Sequence, residues 1–65
     1  MNKQQELIQY QIDSLRYKQQ DYRGYAEREA KYDRYRAADE YELLAKGIGI
    51  AIDVLTDNKR EAGND

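Results

Sequence analysis

The sequence predicts an all-α protein, a helical hairpin of two long helices that dimerises into a helical bundle. Three observations carry that expectation. The 65 residues contain no proline and abound in Ala, Leu, Glu, Lys, Arg and Gln, which lose least on entering a helix. Apolar residues recur at three- and four-residue intervals along most of the chain, the period of one helix face. A second apolar row runs roughly opposite the first, and a helix apolar on two sides is sandwiched between two partners.

The first helix opens at its cap. Asn2 followed by Gln5 forms a capping box, in which side chain and backbone satisfy each other's free donors, so the helix starts at Lys3. From there one stripe carries Ile8, Ile12, Leu15, Tyr22, Ala26, Ala30, Ala37, Tyr41, Leu44, Ile48, Ala51, Ile52 and Leu55; only Gln19 and Asp33 interrupt it. The second row carries Leu7, Tyr10, Tyr17, Tyr25, Tyr32 and Tyr35. Glu27 with Lys31 and Glu42 with Lys46 are pairs four residues apart in the favourable order.

A hairpin needs a turn, and glycine marks two candidates. Glycine inside a helix costs about 1 kcal/mol relative to alanine, so each one needs a reason. We expect the turn near Gly24, and a close crossing, a kink or a third helix near Gly47–Gly49. Ala45 with Gly49, and Gly47 with Ala51, are small-residue pairs that let helix backbones approach closely. The alternation Ile48, Ile50, Ile52, Val54 is strand-like, but one such segment has nothing to pair with and is read as helix. Lys59 and Arg60 suit a helix C-terminus, and Gly63 suits its stop.

Size and composition narrow the class further. Residues 1–65 form a single small helical domain, and a chain this short buries only about 60% of its unfolded surface. Small scaffolds need a staple. With no cysteine and no histidine, disulfides and an ordinary zinc site are excluded, which leaves oligomerisation, a dimer being favoured. The start is polar and lacks an apolar leader core, so no secretory signal is expected. The longest apolar or glycine run, Gly47–Ile52, falls far short of the ~20 residues a membrane span needs. A cytoplasmic protein is the expectation, and the absence of cysteine suits it.

The net charge of −2 is unevenly spread. Residues 1–15 carry −1, residues 16–36 carry +3, and residues 37–65 carry −4. This polarity can drive antiparallel association or recruit a charged partner.

Catalysis is not expected. The chain has one serine, Ser14, one threonine, Thr56, and no histidine, so no activated nucleophile with its base can be assembled. Asp53, Asp57 and Glu61 form an acidic row, read as the solvated face of a helix end. The expectation is a non-enzyme with no cofactor and no metal.

What remains is contact. All seven aromatic residues are tyrosines, whose ring and hydroxyl suit half-wet surfaces. Tyrosine and arginine are also enriched at binding hot spots. The expected partner-binding residues are Tyr10, Tyr17, Tyr25, Arg28, Tyr32, Tyr35 and Arg36. The expected self-association or core residues are Ile8, Ile12, Leu15, Tyr41, Leu44, Ile48, Ile52 and Leu55. Whether the tyrosine face meets a second copy or a foreign protein stays open. An alternative is a nucleic-acid-associated regulatory protein, because Arg16–Arg36 interleaves seven basic residues with five tyrosines. The pI of 5.1 and the acids within that segment weigh against it. A structural assembly or scaffold component is a third reading.

The run Tyr32-Asp33-Arg34-Tyr35-Arg36-Ala37-Ala38-Asp39-Glu40-Tyr41-Glu42-Leu43-Leu44-Ala45-Lys46-Gly47-Ile48 resembles the small, charged, all-helical accessory proteins of phages and prophages of Gram-positive bacteria. The resemblance implies an accessory factor that binds, and can inhibit, a host protein. It assigns no role to any individual residue.

Overall fold

The computed structural model describes residues 2–63, which form two helices, α1 (Lys3–Lys31) and α2 (Tyr35–Ala62). They run antiparallel, with Asn2 beside Ala62, Gln5 beside Lys59 and Gln19 beside Ala45. The result is a flat ribbon, its Cα trace measuring 50 × 14 × 8 Å. The all-α hairpin expected from periodicity is the fold. No helix among the described residues is long and apolar enough to cross a membrane.

The turn is not at Gly24. It is made by Tyr32, Asp33 and Arg34, and its hydrogen bonds explain why it falls there. The Asp33 N–H donates to the Ala30 carbonyl at 3.1 Å, and the Arg34 N–H donates to the Glu29 carbonyl at 2.9 Å. Those two bonds are a Schellman motif, which requires a left-handed residue between them. Asp33 supplies it, with φ of 59°. Aspartate is one of the few side chains other than glycine that visits this region with any frequency. Asp33 was also one of the two interruptions of the apolar stripe.

Gly24 and Gly47 instead lie inside unbroken helices, where an added Cβ would meet nothing within 4 Å. The expected third helix at Gly47–Gly49 is absent among the described residues, since α2 runs through both glycines. The close crossing, however, is present. A Cβ on Gly49 would lie 3.0 Å from the Gln19 amide, and neighbouring Ala45 is only 1% exposed.

Packing follows a heptad. Ile8, Ile12, Leu15, Gln19, Tyr22 and Ala26 face the seam from α1, and Ala38, Tyr41, Ala45, Ile48, Ile52 and Leu55 face it from α2. This alternation of three and four is the spacing of a coiled-coil seam. Ile12, Ala26, Ala38, Ala45, Ile52 and Ala62 are buried. Four of these six are alanines, so the seam is narrow. Full burial of Ile12 and Ile52 stabilises by about 1.5–3 kcal/mol each. The strand-like alternation resolves as helix: Ile48 and Ile52 face inward, whereas Ile50 and Val54 are exposed.

The ends are tied across the seam rather than individually. The capping box at Asn2 and Gln5 forms as expected, with the Gln5 N–H donating to Asn2 Oδ1 at 2.8 Å. The same two side chains donate from their amide nitrogens to carbonyls of the last turn of α2, Asn2 to Ala62 and Gln5 to Lys59, each at 3.2 Å. Those carbonyls lie in the last turn of α2, where acceptors are left over by the helix itself; the Lys59 carbonyl also accepts the Gly63 N–H at 3.2 Å. Gly63 closes α2 in a right-handed conformation, φ −80°, so it serves by leaving room for Gln5 rather than by a left-handed turn. Among the described residues every ion pair is local: Arg16–Asp13, Arg60–Asp57 and Arg34–Glu29. The Glu27–Lys31 and Glu42–Lys46 pairs do not close; exposed pairs of this kind gain too little to order two long side chains.

Candidate interaction surface at the interhelical turn

The turn gathers the densest set of exposed tyrosine and arginine side chains. Glu29, in the last turn of α1, organises it. Its carbonyl accepts the N–H groups of Tyr32 and Arg34, and its carboxylate holds the Arg34 guanidinium through two hydrogen bonds, to Nε and, at 3.1 Å, to Nη2. The bidentate pairing fixes both position and plane of the guanidinium. Arg34 then lies 5.0 Å from the centroid of the Tyr32 ring, a cation–π contact. The Tyr35 hydroxyl donates to Asp33 Oδ1 at 2.9 Å. Tyr32 and Tyr35 remain 65% and 62% exposed, so this order is imposed on rings that face water.

The electrostatics follow from the same pair. The hydrogen bond from Arg34 holds the Glu29 carboxyl below the usual carboxylate range, assisted by the charges of Arg34 and Arg28 and opposed by partial desolvation. The reciprocal bond raises Arg34 above its ordinary value. Asp33, Arg34, Tyr35, Arg36, Ala37 and Glu40 line a shallow groove beside the turn.

Below the turn lies a second aromatic group. Tyr22, Tyr25 and Tyr41 form a triangle with centroid separations of 6.1, 5.9 and 5.4 Å. The Tyr22–Tyr25 pair is edge-to-face and the Tyr22–Tyr41 pair is stacked, both preferred aromatic geometries. Arg28 sits 5.3 Å from the Tyr25 centroid. Tyr41 thereby joins the two helices through aromatic contact.

The seven residues expected on one partner-binding face fall into three places. Tyr32, Tyr35 and Arg36 are at the turn, Tyr25 and Arg28 belong to the aromatic triangle, and Tyr10 and Tyr17 stand on the outer edge of α1. Tyr17 is fifteen residues from Tyr32, so the rise of the helix separates them by roughly 20 Å. Of the expected self-association residues, Ile12 and Ile52 are buried, Ile8, Leu15, Tyr41, Ile48 and Leu55 are half-buried, and Leu44 is exposed. Sequence reasoning missed Glu29 and Arg34. A pair five residues apart falls outside the helical spacings it searched, and only the left-handed Asp33 between them brings the side chains together.

The chain matches no family model, no curated protein and no solved structure.

Proposed function

We propose that this chain is a non-enzymatic protein-interaction module, a self-associating accessory factor of the phage or prophage type. It acts in the cytoplasm, binding and modulating a host protein through the Tyr/Arg surface at the turn. The observation that carries this reading is the turn itself: Tyr32 and Tyr35 are mostly exposed, yet Glu29, Arg34 and Asp33 hold their surroundings in one arrangement. Exposed aromatic rings in a fixed setting lose little entropy when a partner covers them, which is the economy of a hot spot. The self-associating part draws support from the small seam, four alanines and two isoleucines, beside ten exposed large apolar side chains.

The nucleic-acid reading draws less support from the turn. Arg34 spends its charge on Glu29 and Arg28 covers a ring, so neither is free to meet phosphate without giving up a contact.

The test is affinity capture of tagged protein from lysate of the native host, with and without nuclease, for wild type and for Tyr32→Ala with Tyr35→Ala. Near-stoichiometric capture of one nuclease-resistant protein, lost in the double variant while helicity persists, is the expected result. Capture that disappears with nuclease moves the nucleic-acid reading to first place. Unchanged capture by the double variant removes the turn from the interface.

A further inference from the structure

We infer that a second copy of this chain covers one particular face of the hairpin, giving a four-helix bundle whose Tyr/Arg turns stay free at its ends. The inference rests on the self-associating reading above and names the surface that reading requires.

The two faces of the ribbon differ in how the seam is closed. On one face polar side chains roof it: Lys59 Nζ donates to Gln9, Gln5 reaches the Lys59 carbonyl, and Gln19 donates to the Ala45 carbonyl at 3.1 Å while lying against Gly49. Arg16, Arg23, Glu42 and Lys46 flank that roof by helical register. Along the middle of the other face no side-chain hydrogen bond among the described residues crosses. Leu15 and Leu55 share an open groove with Tyr10, Gln11 and Ser14. Leu44, Ile48, Ala51 and Leu55 continue it as one row along α2, and Leu44 is 49% exposed. The stripe that reads as a single core in the sequence therefore divides. Ile12, Ala45 and Ile52 close the hairpin, whereas Leu15, Leu44, Ile48 and Leu55 only half-close it.

The area says how much is left to cover. A compact monomer of 7.7 kDa exposes roughly 4,300 Å² by the usual scaling with mass. This chain exposes 5195 Å². The excess, roughly 900 Å², is close to the about 800 Å² that each partner contributes to a standard stable interface. Its origin is architectural. Folded domains place two layers around a core, and two helices side by side make only one layer. A second copy supplies the missing layer with the same apolar row, and a twofold contact of a face with itself is the commonest oligomeric solution. The row itself carries no charge, with Lys18 flanking it from α1 by register, and large Leu44 and Leu55 bracket small Gly47 and Ala51, so two copies can interdigitate. The row runs along the middle of the ribbon, so covering it leaves Tyr32 and Tyr35 at the tips accessible.

Sedimentation equilibrium and concentration-dependent thermal unfolding test this on the full chain. Wild type sediments as a dimer and its Tm rises with protein concentration. Leu44→Glu raises the dimer dissociation constant by roughly a hundredfold, through the burial of an unpaired carboxylate. Lys46→Glu, on the roofed face, leaves it unchanged. Loss of fold in Leu44→Glu alone also supports the inference, because a side chain half-exposed in the isolated hairpin tolerates charge. A wild-type monomer with a concentration-independent Tm overturns it, as does a dimer that survives Leu44→Glu and Ala51→Glu. Partner capture that still depends on Tyr32 and Tyr35 in either of those cases leaves the interaction-module reading standing and removes only the bundle.

Discussion

Asn2 ties the start of α1 to the end of α2, its Nδ2 donating to the Ala62 carbonyl across 60 residues of sequence. The same side chain accepts the Gln5 N–H, so one amide caps two helices at once. An N-cap alone is worth about 1 kcal/mol.

Asn2→Ala is therefore expected to destabilise by about 1.5–2 kcal/mol, the N-cap plus one further hydrogen bond. Asn2→Asp retains the N-cap acceptor but has no donor for Ala62, so its cost falls between alanine and wild type. Urea midpoints of the three proteins at one concentration decide the matter. Equal stability of Asp and Asn would show that the bond across the seam contributes nothing.

Asp33 holds a left-handed backbone without being glycine. Asp33→Ala is expected to cost about 1 kcal/mol, since alanine lacks a side chain that eases that conformation. Asp33→Gly is expected to be neutral or stabilising, as glycine adopts it freely, although the acceptor for the Tyr35 hydroxyl is lost. Thermal melts of both variants against wild type check the order Gly, Asp, Ala; an Ala variant as stable as wild type would contradict it.

Gly24 makes the opposite prediction. It lies in the interior of α1 with open space around an added Cβ. Gly24→Ala should stabilise by about 0.5–1 kcal/mol through helix propensity and a less flexible unfolded chain. A turn at Gly24 would give destabilisation instead, so the sign of the change in Tm tests the position of the turn directly.

The Glu29–Arg34 pair gives the molecule a pH signature. The Glu29 carboxyl is depressed in the fold chiefly by the hydrogen bond from Arg34, and returns to its ordinary value when the chain unfolds. The pair thus contributes stability that is complete above that ordinary value and is lost as pH falls through the depressed one. Stability measured from neutral pH into acid should fall more steeply in wild type than in Glu29→Gln. The side chain of Glu29 is only 14% exposed, so screening by added salt should not abolish the difference. Parallel curves for the two proteins would remove the pair from the acid response.

The sequence by itself determined that this chain is helical, where α1 begins, which face of each helix turns inward and that the core is small. Each of those rests on local chemistry: a capping box spans three residues, and a stripe is read from spacings of three and four. It also pointed to Tyr32, Tyr35 and Arg36 as surface. The tertiary structure decided where the chain reverses, because a left-handed aspartate costs little only when Schellman bonds to the Ala30 and Glu29 carbonyls offset it, and glycine is the commoner signal. It separated Ile12 and Ile52, which close the seam, from Leu15, Leu44 and Leu55, which lie on the same stripe yet face half outward. A helical stripe is wider than the line along which two helices touch, so spacing alone cannot say which of its residues meet the neighbour. It also turned Gln19, an interruption in the pattern, into a contact, since its amide reaches a carbonyl only because Ala45 and Gly49 opposite it are small.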